Sequence, residues 1–477
     1  MEVSLSSTSL QSLDAAEAIS DLNPNGADLL ITSILTSMVA DLGVITPTSG
    51  ALLTYFDNDK KSAKTIDAYL VSPKEYGGDD LSQNKVAFAY GGYVETCTGA
   101  NTFAIPGIYK LMEYIYQKKA SLPLEVLFEY PISIAKNGFK LNETSKEYLG
   151  YTLDSLFSIN EEAIKTLKVL KEDGLDKGVV NLEKLADTYS HLSTNGFNEF
   201  NSGDIAIELS KTIEEGGGHA TYEDFRSYEL VFDSIFEHKF KNLNIYGHKG
   251  PSIGGLMVLK YLNALSSNPK DIDKTLLNVY LERKQNFEIF ENRRNLVEKE
   301  IEHLSASPST VQISTSDSDN NHYSITFSSG YGSGVLCKRT GMFLNNSLGE
   351  IELNPQGFLG ETHNERLISN MSPLIVSSNK SIYALGSPGA DRISTALAQV
   401  IFNYINNNNW AEAIAKPRFH VNQDGSVRAE LDSFDQKDNV TFTESNDMYF
   451  GGVCVTGLNK EVIAHGDKRR GDISWKK

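Results

Sequence analysis

The pattern of the chain changes near Thr310, and this change constrains the fold more than any other feature. Up to about Arg294 the pattern is mainly helical with strand-like pieces inserted, whereas from Thr310 onward short β-branched and aromatic runs alternate with turn residues. Strands with flanking helices indicate a layered α/β protein. The 477 residues can bury a large core, as one big domain or as two to three ordinary ones, and they contain no internal repeat.

Individual elements follow from turn and capping residues. Thr310–Ser316 and His322–Phe327 are predicted to form a hairpin, because the Asp and Asn residues between them favour a turn. Thr221, followed by acidic residues, is typical of a helix N-cap. The other predicted elements are helices at 15–19, 27–40, after 107 and at 393–404, and strands at 51–56, 374–376, 382–385 and around Val335 and Met342.

Charge and composition argue against several classes of partner. The formal net charge of −18 opposes a phosphate backbone and an anionic membrane surface, so neither nucleic acid nor a membrane is predicted to bind. The three cysteines form no CxxC pair, and Cys337 lies in a strand-like run. The nine histidines form no HExxH pattern. We therefore predict no metal site and no disulfide framework.

The predicted location is the cytoplasm. The N-terminus shows no basic region followed by an apolar run and a small-residue cleavage site. The longest apolar stretch, Leu29–Ala40, suits a buried helix better than a membrane span. Sparse cysteines also fit a reducing compartment.

A series of short blocks, all in one order, carries more information than any of these patterns. The blocks are Thr310–Ser314 with its turn at Asp317–Asn321, Ser324–Gly334, Thr340–Asn346, Ile368–Pro373, Gly386–Ile393, Pro417–His420 and Gly466–Gly471, with weaker matches at Asn25–Asp28, Ile105–Gly107, Thr221–Tyr228 and Pro251–Gly255. Each block alone is a weak signal. In this order they resemble the gamma-glutamyltranspeptidase family over nearly the whole chain.

This resemblance implies a four-layer αββα fold of the N-terminal nucleophile hydrolase type. The chain would be made as one precursor and cut between Ser309 and Thr310, giving fragments 1–309 and 310–477 that together form one compact domain. A threonine hydroxyl is a weak nucleophile at neutral pH and needs a base nearby. The free α-amine created by the cut supplies that base on the same residue, because its pKa is near 8.

The resemblance also assigns roles around Thr310. Ser328 matches the family's second hydroxyl residue, which is hydrogen-bonded to the nucleophile. Gly389 and Ala390 match the oxyanion hole, where two backbone N–H groups hold the developing negative charge. Since the family has glycine at the position of Ala390, we expect alanine to be tolerated if its φ is negative.

The substrate-binding positions depart from the family pattern. Tyr69 stands where the family has an arginine that binds the substrate α-carboxylate, and a tyrosine cannot form a bidentate charged pair. Asn370 replaces the second serine of the carboxylate-binding pair, beside the retained Ser369. Glu350 matches the acidic residue that would bind the substrate ammonium, with Ser347 where Gln or Glu is usual.

The expected activity is therefore transfer or hydrolysis of an acyl group, most simply gamma-glutamyl, through an acyl-Thr310 intermediate. The substrate would be a small acyl-amide such as glutathione, the acceptor would be water or an amino acid, and no metal or organic cofactor is needed. One alternative is an amidase or acylase of the same fold with a non-glutamyl acyl group, which Tyr69 favours. The other is an uncleaved, inactive relative acting as a binding or scaffold protein.

Overall fold

The computed structural model describes residues 1–75, 84–89, 93–267, 274–279, 310–350, 364–378, 381–422, 425–431 and 439–477. Ser309, on the N-terminal side of the predicted cut, lies outside them. None of the helices in these ranges combines the length and the apolar character needed to cross a membrane.

Strands and helices alternate in the first part of the chain, and strands dominate the second. The strands are β1 (Val3–Ser7), β2 (Gly50–Asp57), β3 (Ser62–Ala68), β4 (Lys85–Ala89), β5 (Tyr93–Cys97), β6 (Phe139–Lys140), β7 (Val179–Val180), β8 (Val231–Phe232), β9 (Ile235–Phe240), β10 (Leu243–His248), β11 (Thr310–Asp317), β12 (His322–Ser328), β13 (Leu374–Ser377), β14 (Ile382–Gly386), β15 (Phe419–Val421), β16 (Val427–Glu430), β17 (Val440–Thr443), β18 (Cys454–Asn459), β19 (Glu461–His465) and β20 (Ser474–Lys476). The α-helices are α1 (Gln11–Ile19), α2 (Gly26–Ala40), α3 (Ile108–Lys119), α4 (Leu124–Asn137), α5 (Glu143–Thr152), α6 (Glu161–Glu172), α7 (Glu183–Asn195), α8 (Glu199–Ser202), α9 (Asp204–Glu215), α10 (Tyr222–Arg226), α11 (Gly254–Ser267), α12 (Arg392–Asn407) and α13 (Trp410–Ala415).

Two large sheets are stacked between two layers of helices. The seven-stranded sheet has the order β20-β1-β11-β12-β2-β3-β8, and the six-stranded sheet has the order β19-β18-β14-β13-β10-β9. One hydrophobic core joins the outer face of the first sheet to helices that include α2, whose 15 residues are all buried. A second core joins the other sheet to α11 and α12. This is the predicted αββα arrangement.

The alternation of apolar and polar residues along β11 explains why one face of its sheet joins the hydrophobic core and the other face is polar. Val311 and Ile313 belong to the hydrophobic core on the α2 side. Because successive side chains point to opposite faces of a strand, Gln312 and Ser314 point toward the six-stranded sheet. Polar residues therefore fill the space between the two sheets.

Hydrogen bonds cross from one sheet to the other in this polar layer. The Ser324 hydroxyl donates to the Leu385 carbonyl at 2.8 Å, and the Ser316 hydroxyl donates to the Thr456 hydroxyl at 2.9 Å. From β2, the Thr54 hydroxyl donates to the carbonyl of Pro373 at 2.7 Å. A buried hydroxyl without a partner would destabilise the fold, and these contacts supply partners across the interface.

Most predicted elements are confirmed. β11 and β12 form the expected hairpin, with Ser316 opposite His322, and Thr221 closes a capping box with Asp224. The strands predicted around Val335 and Met342 are wrong. There the chain makes only an isolated bridge between Leu336 and Phe343, because Gly334 and Gly341 have φ values of +76° and +67°, which interrupt extended backbone.

Asp41 provides a test of stability against pH. It is the C-cap of α2, and burial raises the pKa of its carboxyl to about 7, although Asn142 donates a hydrogen bond of 2.5 Å to it. The folded protein therefore holds this proton more tightly than the unfolded chain, so the contribution of Asp41 to stability falls as pH rises from about 4 to 7. We expect Asp41→Asn to remove this slope and to raise the unfolding free energy at pH 8 by about 1–3 kcal/mol.

Urea unfolding midpoints between pH 4 and 8 measure this slope. Asp173→Asn, at the exposed C-cap of α6, is the matched control and should keep the wild-type slope. An unchanged slope in Asp41→Asn would contradict the assignment.

Candidate active site

Strand register brings the two predicted hydroxyl residues together. Thr310 is the first residue of β11 and lies opposite Ser328, the last residue of β12. Residues directly opposite on antiparallel strands have Cβ atoms about 4.5–5.5 Å apart and share a face. Both residues are 7% exposed. Their side chains point to the same face as Gln312, toward the second sheet.

A carboxylate packs against the loop that follows Ser328. The Ser328 hydroxyl accepts a hydrogen bond from the N–H of Gly330 at 3.3 Å. A Cβ on Gly330 would lie 2.3 Å from Asn346 Oδ1 and 2.6 Å from Glu350 Oε1. Only glycine leaves room for this approach, so the buried Glu350 carboxylate packs against the backbone two residues from Ser328. Ser347, in the short 3-10 helix Ser347–Gly349, is also buried.

The turn predicted as the oxyanion hole follows β14 and precedes α12. β14 packs closely on β11, the strand that begins with Thr310, since a Cβ on Gly386 would lie 2.1 Å from Gln312 Oε1. Gly389 and Ala390 have φ values of +125° and +51°. Within the described part of the chain, neither donates its backbone N–H to a protein acceptor. Two adjacent N–H groups with no acceptor among the described residues, on a turn that follows a strand packed on β11, suit an oxyanion.

The condition set for tolerating alanine, a negative φ at Ala390, is not met. The turn places this alanine in the left-handed region, which costs a non-glycine residue roughly 1–2 kcal/mol. The first turn of α12 requires this conformation, because the N–H groups of Arg392 and Ile393 donate to the carbonyls of Gly389 and Ala390 at 3.0 and 3.3 Å.

Tyr69 lies directly after β3, beside the end of β2 that pairs with Ser328. Its Cδ2 atom would be 3.0 Å from a Cβ on Gly50, and Gly50 is the strand partner of Ser328. The side chain is 2% exposed. The structure thus brings Tyr69 into the neighbourhood of the two hydroxyl residues.

Ser369 and Asn370 reach this neighbourhood on a neighbouring segment. The N–H of Leu367 donates to the carbonyl of Leu70 at 2.9 Å, which places the segment alongside the residues after Tyr69. The buried Ser369 hydroxyl accepts the N–H of Met371 at 3.1 Å. The carbonyl of Asn370 packs on α11, where a Cβ on Gly254 would lie 2.0 Å from it.

Three residues that the sequence did not single out hold the backbone of Tyr69. Asp67 accepts the N–H of Tyr69 at 2.8 Å, and the Tyr228 hydroxyl donates to the Tyr69 carbonyl at 2.5 Å. Arg366 Nη1 donates to the same carbonyl at 2.9 Å and to Asp67 at 3.1 Å. Burial raises the pKa of Tyr228, so its phenol stays protonated and able to donate. Arg366 is 297 residues from Tyr69, and no local sequence pattern links them.

The described residues contain no group of three or more His, Cys, Asp or Glu side chains that could hold a metal ion. The three cysteines are buried, and none of them forms a disulfide.

Comparison with known proteins places this geometry in a family. The sequence profile of the family described as gamma-glutamyltranspeptidase matches residues 24–280 and 275–472. Glutathione hydrolase proenzyme of Escherichia coli (strain K12) is 25% identical over 369 residues, which cover 66% of this chain and 63% of that protein. Its counterpart in Bacillus subtilis (strain 168) is 22% identical over 447 residues, covering 80% of this chain and 74% of that protein.

A solved structure shows the same fold. Cephalosporin acylase from Bacillus halodurans superposes with a TM-score of 0.79 over 100% of this chain and 95% of that chain, at 16% sequence identity. The likeness confirms the predicted αββα fold. The profile covers most of the chain and confirms the resemblance seen in the ordered blocks, although the match spans less than two thirds of the E. coli relative. The chain belongs to the gamma-glutamyltranspeptidase family.

Proposed function

We propose that this protein is a gamma-glutamyltransferase or glutathione hydrolase-like enzyme that is cut before Thr310 and acts through an acyl-Thr310 intermediate. The observation that carries the proposal is the register that sets Thr310 opposite Ser328, near a turn whose N–H groups at Gly389 and Ala390 donate to no acceptor in the described part of the chain. Family membership supports an acyl-transferring enzyme. The nucleophile, the cut and the roles of the surrounding residues are our assignments.

The proposed first step forms an ester. The Thr310 hydroxyl oxygen attacks the acyl carbonyl, and its proton passes to the α-amine of the same residue. The N–H groups of Gly389 and Ala390 hold the negative charge that develops on the carbonyl oxygen. Collapse of the tetrahedral intermediate breaks the amide C–N bond, and the leaving amine takes the proton from the Thr310 ammonium.

The second step returns the enzyme to its starting state. Water, or the amine of an acceptor amino acid, attacks the acyl-Thr310 ester and gives a proton to the free α-amine. The ester C–O bond breaks, and the Thr310 hydroxyl regains that proton. Ser328, the strand partner of Thr310, is assigned the role of holding the nucleophile hydroxyl in position in both steps. Every step uses groups of this chain and its substrates alone.

The proposed substrate-binding side chains differ in charge, and this difference predicts whether the substrate ammonium or its carboxylate contributes more to recognition. Glu350 can form a charge-assisted hydrogen bond with the substrate ammonium, worth about 1.5–3 kcal/mol. Tyr69, Ser369 and Asn370 offer only neutral donors to the α-carboxylate, each worth about 1 kcal/mol. Arg366, the nearby cation, is already paired with Asp67 at 3.1 Å.

We therefore expect loss of the ammonium to cost more than loss of the carboxylate. The measurement compares kcat/KM for the p-nitroanilides of gamma-glutamate, of glutarate, which lacks the amine, and of 4-aminobutyrate, which lacks the α-carboxylate. Glutaryl anilide should be at least about tenfold poorer than gamma-glutamyl anilide, and the 4-aminobutyryl compound less than tenfold poorer. Tyr69→Phe should shrink only the second difference.

The same series tests the second candidate, an amidase or acylase with a non-glutamyl acyl group, which the uncharged Tyr69 favours. Equal or better use of both truncated anilides would support that candidate. A larger penalty for losing the carboxylate than for losing the ammonium would contradict the binding roles given to Glu350 and Tyr69.

A further inference from the structure

A group of four buried charged residues lies next to the loop that packs on the proposed oxyanion turn. This buried ionic cluster consists of Arg418, Glu430, Asp467 and Arg469. Arg418 Nη2 lies 2.6 Å from Asp467 Oδ2, Arg469 Nη1 lies 3.1 Å from Asp467 Oδ1, and Arg469 Nη2 is paired with Glu430. The four side chains are at most 2% exposed.

The cluster holds one side of a short loop, residues 449–453. Arg418 Nη1 donates to the carbonyl of Phe450 at 3.2 Å, and Asp467 Oδ2 accepts the N–H of Val453 at 2.9 Å. Burial raises the pKa of Asp467, but Arg418 and Arg469 outweigh it and hold that pKa below its ordinary value. Asp467 is therefore ionised at neutral pH and accepts both N–H and guanidinium donors.

The other side of the same loop is attached to the oxyanion turn. The Ser387 hydroxyl accepts the N–H of Gly452 at 3.0 Å, and Arg392 Nε donates to the carbonyl of Tyr449 at 3.0 Å. The two backbones touch, since a Cβ on Gly389 would lie 3.3 Å from the Cα of Gly451. Residues 449–453 thus connect the cluster to both ends of the turn that contains Gly389 and Ala390.

We propose that the buried ionic cluster is a positioning device for the oxyanion hole, acting through residues 449–453 to fix the N–H groups of Gly389 and Ala390. This role rests on the proposed function of that turn. Gly389 and Ala390 both have positive φ, which is sterically unfavourable for Ala390. Contacts from the surrounding structure are therefore needed to hold the turn in this conformation. Fixed donors stabilise a transition state because they need not reorganise as charge develops.

Two variants test the proposal from opposite ends of the connection. Asp467→Asn removes the central charge of the cluster, and Ser387→Ala removes the hydrogen bond between the loop and the turn while leaving the cluster intact. Asp28→Asn is the control, because Asp28 is a fully buried carboxylate that accepts the N–H groups of Ser121 and Leu122 at 2.9 and 3.1 Å in a helix cap away from the turn. All three should lower the melting temperature.

The expected kinetic result distinguishes a loss of oxyanion-hole positioning from a general loss of stability. Asp467→Asn and Ser387→Ala should lower kcat by about tenfold or more with KM within about threefold, because a loosened oxyanion hole weakens the transition state more than the ground state. Their affinity for an acyl-like boronic acid, which forms a tetrahedral anion on Thr310, should fall by a similar factor. Asp28→Asn should keep both values within about twofold.

Hydrogen–deuterium exchange of the peptide covering 386–393 gives a readout that does not need activity. Exchange should be faster in Asp467→Asn and Ser387→Ala than in wild type, and unchanged in Asp28→Asn. Unchanged exchange and unchanged kcat in Ser387→Ala would overturn the proposal, even if Asp467→Asn fails to fold. An inactive wild type would contradict the proposed function, whereas an active wild type with unaffected variants contradicts only the positioning role.

Discussion

Thr310→Ala is expected to remain a single uncut chain and to lose acyl-transfer activity by at least about 10³-fold, because the same hydroxyl is assigned both the cut and the catalytic attack. Wild-type protein should give two fragments that meet at Ser309 and Thr310. Denaturing gels and intact mass measurement report the cut, and release of p-nitroaniline reports the activity.

Thr310→Ser is the matched variant, since it keeps a hydroxyl on the same atom of the chain. It should still be cut and should keep measurable activity. Fragments of Thr310→Ala that still meet between residues 309 and 310 would show that another group, or a contaminating protease, makes the cut. A single chain in wild type as well, after prolonged incubation, would instead favour the inactive relative that acts as a binding or scaffold protein.

Ala390→Pro is expected to lower kcat at least about 100-fold, because proline has no N–H to donate to the oxyanion. Proline also fixes φ near −65°, whereas Ala390 has φ of +51°. The residues proposed to bind the substrate are on other segments, so KM should change much less than kcat. Steady-state kinetics on gamma-glutamyl anilide, with a melting curve for each variant, measure both effects.

Ala390→Gly is the matched control, because it keeps both the N–H donor and the positive φ at this position. Glycine keeps the N–H and adopts positive φ without the steric penalty. This variant should therefore keep kcat within about twofold and unfold at a slightly higher temperature. If Ala390→Pro is folded and retains wild-type kcat, the N–H of this residue is not an oxyanion donor.

The sequence predicts best what depends on neighbouring residues. The β11–β12 hairpin was predictable from two β-branched runs around an Asp- and Asn-rich turn, and its register alone places Thr310 opposite Ser328. The Thr221 cap is equally local. The ordered blocks added the family, and with it the fold of four layers.

What depends on distant contacts or on backbone angles could not be predicted. Nothing local links Arg366 to Tyr69, or Asp467 to the loop at Val453. The left-handed φ of Ala390 went against the usual preference of alanine, because the first turn of α12 fixes it. The strands expected around Val335 and Met342 fail for a related reason, since nearby glycines turn the chain. The roles of the site residues and the cytoplasmic location stay predictions.

The strand order has a consequence for the two pieces that a cut before Thr310 would create. In the first sheet, β11 and β12 lie between β1 and β2, so two strands of fragment 310–477 would be flanked on both sides by strands of fragment 1–309. In the second sheet, β13 pairs with β10, which again joins the two pieces. Neither piece can leave without breaking ladders in both sheets. We therefore expect the cut protein to melt in one cooperative transition, and isotopically labelled and unlabelled pieces not to exchange in the folded state.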